Sequence, residues 1–135
     1  MSAYAAPLRR GLPWGFAGYI VAVVAAHALL PPAFTWGIAY LALLGMLFTY
    51  PAHALVQCEH RRWEVSLSIG FTAFGLLGVM VSPLFLVAAV AGHGALDLVK
   101  YLRGVGARVP VWYLSGCAAF DFAYAGALFT YWSLS

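Results

Sequence analysis

Long apolar runs separated by short polar segments dominate the chain. A run of about 20 apolar residues is long enough for a helix to cross the hydrocarbon layer of a membrane. The pattern therefore predicts an all-α polytopic membrane protein, with five transmembrane helices in a single bundle over residues 1–135. The predicted helices cover residues 14–30, 35–57, 64–82, 84–103 and 110–132.

The third and fourth runs are separated by a predicted break. As one helix, residues 64–103 would be about 60 Å long, at about 1.5 Å per residue, which is twice the hydrocarbon thickness of about 30 Å. Proline lacks a backbone N–H and disfavours helix at the residue before it. The break is expected at Ser82 and Pro83.

Composition supports membrane insertion, since 64% of residues are hydrophobic and 8% are charged. A soluble domain of this length could not bury so much apolar surface. Cys58 and Cys117 lack a CxxC context and are interpreted as ordinary thiols. Tryptophan prefers the membrane interface, and all five lie at predicted helix ends. Small residues are expected at helix contacts, in the pairs Gly75/Gly78, Ala88/Gly92, Ala119/Ala123 and Ala123/Ala127.

The basic residues predict the orientation. With five spans, all seven lysines and arginines fall on one side of the membrane, which the positive-inside rule makes cytoplasmic. Four spans would separate Lys100, Arg103 and Arg108 from the rest. We therefore expect a bacterial inner-membrane protein with its N-terminus in the cytoplasm and its C-terminus outside. The basic residues form small groups between apolar runs, so no nucleic-acid partner is expected.

Three polar residues fall deep in the fourth and fifth predicted helices. Measured from the cytoplasmic end at about 1.5 Å per residue, Asp121 lies about 13 Å deep, His93 about 15 Å and Asp97 about 9 Å. The two helices are antiparallel and joined by a short loop, so they are expected to be neighbours. The matched depths predict a hydrogen bond between His93 and Asp121.

An ionised aspartate in the middle of a membrane helix costs about 2.5–3.5 kcal/mol, so Asp121 requires a partner or a proton. Either His93 becomes the cation that pairs with Asp121, or Asp121 stays protonated; both arrangements describe a proton-handling pair. Asp97 has an alternative interpretation, as an interfacial residue that pairs with Lys100 or Tyr101 on its own helix. The glycines beside His93 either permit a tight helix contact or make room for a ligand.

The remaining polar residues are weaker candidates. His27 and His53 are interpreted as hydrogen-bonded or interfacial histidines. A bis-histidine haem is disfavoured, because His53 lies about 6 Å deep and His93 about 15 Å. No metal site is predicted, and the sequence identifies no cofactor. The cytoplasmic turn is predicted to form a solvated charge cluster from Glu59, His60, Arg61, Arg62 and Glu64.

The segment "HGALDLVKYLRGVGARVP" followed by "GCAAFD" resembles a family of small, uncharacterised bacterial integral membrane proteins of unknown function. In that family an H-x-x-x-D helix is followed by a Gly-Cys-Ala segment that ends in aspartate. The resemblance covers only the fourth and fifth helices and implies that their polar stripe is a shared feature. It implies no metal site, since Lys100 and Tyr101 stand where the family carries histidines. The matching positions are His93, Asp97, Gly116, Cys117, Ala118 and Asp121.

The leading hypothesis is an intramembrane acid-base site that opens toward the cytoplasmic leaflet and acts on or binds a lipid-like or isoprenoid-like molecule. Asp121 is the proposed proton donor or acceptor, His93 its partner, and Asp97 with Lys100 the link to water. Further lining residues are expected to be Lys100, Cys117, Tyr124 and His53.

Two alternatives remain open at this stage, and whether the protein is an enzyme stays undecided. One is a non-catalytic accessory subunit of a larger redox, photosynthetic or biosynthetic membrane complex. In that case the polar pair holds helices together with about 0.6–2 kcal/mol. The other is a homo-oligomeric, proton-coupled small transporter, for which a carboxylate at the midplane is the expected coupling group.

Overall fold

The computed structural model describes residues 5–135, and side chains from residue 11 onward. That part of the chain is all-helical, without strands. It consists of α1 (Ala5–Leu29), a short 3-10 turn (Pro32–Phe34), α2 (Thr35–Gln57), α3 (Arg61–Met80), α4 (Pro83–Arg103) and α5 (Val111–Leu134).

The observed helices follow the predicted runs closely except at the start of α1. This helix begins at Ala5, whereas its apolar run begins at residue 14, because a helix can continue into a polar segment that hydropathy excludes. The side chains of Arg9 and Arg10, used above for the orientation, lie outside the described residues. The predicted break is confirmed: Ser82 is extended (φ −157°, ψ 129°) and Pro83 is the first residue of α4.

Four helices in the described part of the chain are long and apolar enough to cross a membrane. They support a multi-pass membrane protein, as the sequence predicts. α5 has 24 residues but is less apolar, because it carries Asp121, two serines and several tyrosines and tryptophans. The four apolar spans are Gly11–Leu29, Pro32–Gln57, Arg61–Met80 and Pro83–Arg103.

α2 and α4 form the centre of the bundle. α4 packs along α5 and α3, while α2 contacts α1, α3 and α4. The principal core lies where α2, α4 and α5 meet, and its fully buried residues include Leu43, Leu86 and Val90. α1 packs mainly on α2. It contacts α5 less closely, through aromatic side chains such as Phe16 and Tyr19.

Small residues bring α3 and α4 together as predicted, whereas the small residues predicted to form the contact face of α5 do not. Gly75 and Gly78 of α3 are buried, and a Cβ at Gly78 would overlap the backbone of Leu86 in α4. By contrast, Ala88 and the α5 alanines at positions 119, 123 and 127 are exposed. The prediction for these alanines was wrong because α5 carries small residues on more than one face. The face that packs on α4 is the one that holds Ala118 and Asp121.

Candidate functional site

His93 of α4 and Asp121 of α5 form the predicted hydrogen bond. The distance between His93 Nδ1 and Asp121 Oδ2 is 2.8 Å, and the two residues are 1% and 0% exposed. The close approach of the helices depends on Gly94, since a Cβ there would lie 3.0 Å from the Cβ of Asp121. The glycine after His93 therefore serves a tight helix contact.

Asp97 lies one helical turn beyond His93 and completes a buried group that we call the central cluster: His93, Asp97 and Asp121. Its Oδ2 is 3.8 Å from His93 Nδ1, and its Oδ1 accepts a hydrogen bond from the hydroxyl of Tyr50 in α2. The predicted partners on its own helix are not used, since Tyr101 is 46% exposed and Asp97 is fully buried. The partner of Asp97 comes from another helix instead.

Aromatic rings hold the imidazole of His93 in place. The ring centroids of Tyr50 in α2 and Phe71 in α3 each lie 5.8 Å from that of His93, with Phe71 edge-on at 81°. Four helices, α2 to α5, therefore enclose the central cluster. A side chain confined in this way keeps one rotamer, which is the condition for a preorganised polar site.

Three atoms of the central cluster have no hydrogen-bond partner among the described residues: His93 Nε2, Asp97 Oδ2 and Asp121 Oδ1. Buried polar atoms in folded proteins nearly always have a partner, and unpaired ones are costly. The exceptions mark places where a ligand, a water or an ion completes the site. His93, Asp97 and Asp121 each offer a ligand atom, and these atoms lie within 4.8 Å of one another.

A second buried polar group, which we call the loop-end ion pair, lies nearer the loop ends of the helices. Lys100 Nζ of α4 is 2.6 Å from both carboxylate oxygens of Glu64 in α3. The backbone N–H of Ala107, in the loop between α4 and α5, donates to Glu64 Oε1 at 2.7 Å. Lys100 Nζ also lies 3.6 Å from the ring centroid of Tyr50, the residue that bonds Asp97.

The loop-end ion pair corrects two expectations. Glu64 is 1% exposed, so it is not part of a solvated cluster with Arg61 and Arg62. The reason is that α3 begins at Arg61, which places Glu64 in its first turn, facing α4. Lys100 is 2% exposed and Asp97 fully buried, so the two residues do not link the site to water as expected.

A cavity of about 190 Å³ between α1, α2 and α5 reaches Asp121. Cys117, one turn before Asp121 and a predicted lining residue, is among the residues that surround the cavity. Its polar side chains include Thr49 and Tyr113, which hydrogen-bond to each other at 2.8 Å. The remaining lining is mostly apolar or aromatic and includes Leu12, Phe16, Tyr19, Met46 and Phe120.

Tyr124 and His53 lie outside this cavity. Tyr124 lines a larger open groove of about 540 Å³ between α1, α2 and α5, where its hydroxyl is 2.7 Å from His27 Nε2. Phe120 borders both the groove and the cavity at Asp121. His53 is buried in α2, with Nδ1 3.0 Å from the carbonyl oxygen of Thr49. The structure therefore brings His93, Asp97 and Asp121 together and places Cys117 beside Asp121 at the cavity. Lys100, Tyr124 and His53 lie outside the central cluster and have other hydrogen-bond partners.

Sequence reasoning missed Tyr50 and the inward position of Glu64, although depth along the helices contained the signal. Counted from the end of α2, Tyr50 lies about 10 Å deep, close to the depth of about 9 Å for Asp97. Glu64 and Lys100 each lie three residues from a helix end, which is about 4.5 Å. The comparison of depths that paired His93 with Asp121 would have paired these residues as well.

Comparison of the chain with protein families, with characterised proteins and with solved structures gives no match. The resemblance to a family of small bacterial membrane proteins therefore stays a prediction.

Proposed function

We propose that the protein crosses the bacterial inner membrane five times, with its N-terminus in the cytoplasm. α5, at 24 residues and about 36 Å, is long enough to span the bilayer and packs along α4. The start of α3 with Arg61 and Arg62, the end of α4 with Lys100 and Arg103, and the loop before α5 with Arg108 then lie on the cytoplasmic side. In this orientation the cavity at Asp121 belongs to the cytoplasmic half of the bundle, because it is lined by the first turns of α5 and the second half of α2.

Within that topology, we propose that the cavity binds the polar end of a lipid-like or isoprenoid-like molecule, and that Asp121 exchanges a proton with it. His93 is the partner that takes up or returns this proton. One observation carries the proposal: Asp121 bonds to His93 at 2.8 Å through its carboxyl group and is also one of the residues that surround the cavity. A buried acid-base pair therefore meets a space that a small polar group can enter.

The shape and lining of the cavity favour an amphipathic ligand. A volume of about 190 Å³ is small for a whole lipid but sufficient for a polar end. The neighbouring groove of about 540 Å³, which shares Phe120, is open and mostly apolar, so it suits a hydrocarbon chain. Hydroxyls of Thr49 and Tyr113 supply the few polar contacts that orient a ligand in such a site.

Two glycines of α1 provide a matched test of ligand binding. A Cβ at either Gly15 or Gly18 would meet no atom within 4 Å, but only Gly15 lines the cavity. We expect Gly15→Leu to reduce the lipid that co-purifies with the protein, measured by mass spectrometry, at least several-fold. Gly18→Leu should leave it unchanged. Equal lipid content in both variants and the native protein would contradict the proposed binding site.

The proton-exchange step is tested at Asp121 itself. Asp121→Asn keeps the shape of the side chain and removes its capacity to take up a proton. In membrane extracts incubated with the native protein, we expect one lipid class to be consumed or modified, and this change should be absent with Asp121→Asn. A lipid that binds but is never modified would make the protein a carrier. A stoichiometric protein partner and no bound lipid would favour the accessory-subunit alternative.

A further inference from the structure

One ring nitrogen of the central cluster faces two carboxylates. His93 Nδ1 lies 2.8 Å from Asp121 Oδ2 and 3.8 Å from Asp97 Oδ2. A single N–H can be donated fully to only one of these oxygens, so the hydrogen bond to Asp121 leaves Asp97 Oδ2 without a partner. A cation placed among the three atoms would contact all of them, which a shared hydrogen cannot do.

We propose that His93, Asp97 and Asp121 together bind one divalent first-row transition-metal ion. Ions of this class bind imidazole nitrogen and carboxylate oxygen at about 2.0–2.2 Å, which places neighbouring ligand atoms about 3–3.5 Å apart. The observed separations of 2.8 and 3.8 Å lie on either side of that range, so small side-chain rotations complete the site. All three ligand atoms lie within 4.8 Å of one another.

The donor set indicates the class of ion. One imidazole nitrogen with two carboxylate oxygens suits Zn²⁺, Mn²⁺ or Fe²⁺, whereas Mg²⁺ and Ca²⁺ prefer oxygen ligands alone. Two carboxylates and a neutral imidazole carry a charge of −2, which a divalent ion balances. The nearest lysine does not supply this balance, because Lys100 is held by Glu64 at 2.6 Å.

One of the three proposed ligands, Asp97, has an outer hydrogen-bond partner that orients it. Metal-binding carboxylates are usually oriented by a second hydrogen bond, and Tyr50 provides it by donating to Asp97 Oδ1, which leaves Oδ2 toward His93. The unpartnered Asp121 Oδ1 lies on the side chain that borders the cavity, so a bound ion has a route of entry. A bound ion takes the place of the hydrogen between His93 and Asp121, so the metal-bound protein does not exchange that proton. The inference goes beyond lipid binding, since the ion needs no lipid in order to bind.

A test with Zn²⁺ and Mn²⁺ must first remove a competing surface site. The turn between α2 and α3 exposes Cys58, Glu59 and His60, which can bind Zn²⁺ by themselves. The full chain is therefore purified as the Cys58→Ser/His60→Ala variant, treated with a chelator, and equilibrated with each ion alone. Mass spectrometry of the bound metal should then give one ion per chain, with no binding of Mg²⁺ at the same concentration.

Four substitutions in that background test the assignment: two at proposed ligands, one at an outer partner and one control. Asp97→Asn and Asp121→Asn should weaken metal binding by about 100-fold or more. Loss of a residue that only hydrogen-bonds to a metal ligand already costs about 10–100-fold, and loss of a ligand should cost more. Tyr50→Phe should cost about 10-fold. Cys117→Ser is the matched control, since it changes a buried residue one turn from Asp121 that is not a proposed ligand, and it should bind normally.

X-ray absorption of Zn²⁺ bound to that background protein keeps the test independent of whether the variants fold. The spectrum should show only nitrogen and oxygen at about 2.0–2.2 Å, with no sulfur at about 2.3 Å. Sulfur ligation would overturn the metal proposal, and so would the absence of bound ion in the Cys58→Ser/His60→Ala protein. Either result would leave the Gly15→Leu lipid test unaffected, so the two proposals fail separately.

Discussion

The two buried polar groups differ in how fully their atoms are paired. In the loop-end ion pair, Lys100 bonds both oxygens of Glu64, and the N–H of Ala107 supplies a further contact. In the central cluster, three atoms have no hydrogen-bond partner among the described residues. In a fully paired group of buried charges the mutual attraction offsets the cost of desolvation and removal of one partner is strongly destabilising, whereas unpaired buried polar atoms already cost stability. The contrast indicates that the first group is structural and the second is kept for function.

The largest expected effect comes from breaking the loop-end ion pair on one side. Glu64→Gln leaves Lys100 charged and buried, which should lower the free energy of unfolding by about 3–5 kcal/mol. The measurement is unfolding by SDS titration in mixed micelles. Glu64→Gln with Lys100→Met should recover most of the loss, because a neutral pair has no unpaired charge.

Glu59 provides the control for that prediction. Its carboxylate lies 3.5 Å from Arg108 Nε, but the two side chains are 46% and 78% exposed. Glu59→Gln should therefore change the free energy of unfolding by less than about 1 kcal/mol. If Glu64→Gln were equally mild, the loop-end ion pair would not be structural and the contrast would fail.

Tyr50→Phe should have the next largest effect, because Tyr50 contacts both groups. The substitution keeps the ring beneath Lys100 and removes the hydroxyl that bonds Asp97. Loss of a hydrogen bond to a charged partner should lower the free energy of unfolding by about 1.5–3 kcal/mol. Tyr113→Phe removes a hydroxyl that bonds Thr49 and the thiol of Cys117, both uncharged partners, and its cost should be smaller. A Tyr50→Phe variant as stable as the native protein would show that Asp97 does not depend on this bond.

Gly94→Ala tests whether the central cluster requires close packing of α4 and α5. The added Cβ would lie 3.0 Å from the Cβ of Asp121, which is fixed to the backbone of α5. At Gly92 the new Cβ meets only the ring of Phe71, at 3.2 Å, and a ring can move. We expect Gly94→Ala to be less stable than Gly92→Ala by about 1–2 kcal/mol. Equal stabilities in the same SDS titration would mean that the helices separate without cost.

The smallest effect on stability is expected within the central cluster itself. Asp97→Asn keeps an oxygen for the hydroxyl of Tyr50 and removes a buried charge whose other oxygen has no partner. The free energy of unfolding should change by less than about 1 kcal/mol, or rise, as is common when a functional polar residue is replaced. A loss as large as that of Glu64→Gln would show that the central cluster is structural too.

Much of the fold could be predicted because a membrane imposes a length on every helix. Apolar runs located α2 to α5 to within three residues, and the proline rule located the break before Pro83. The pairing of His93 with Asp121 also followed, since depth along antiparallel neighbours is set by the helical rise alone.

The remaining contacts depended on rotation of the helices about their axes, which neither length nor depth determines. Tyr50 meets Asp97 across 47 residues of sequence, and which face of α2 turns inward is decided by packing among four helices. The same freedom explains why the small residues of α5 were assigned to the wrong face. The apolar run begins at residue 64, so the sequence predicts Glu64 in the turn before the helix. In the structure α3 begins at Arg61, three residues earlier, and Glu64 lies inside the helix.

The bond between Glu64 and Lys100 has a consequence for the order in which the protein is made. Lys100 follows Glu64 by 36 residues, so a ribosome adding about 5–20 residues per second produces it about 2–7 seconds later. During that interval the carboxylate of Glu64 has no counter-ion, and it can remain hydrated only if the first turn of α3 stays at the membrane surface. We therefore expect complete insertion of the third helix to wait for synthesis of the fourth, so that the two enter the bilayer as a hairpin.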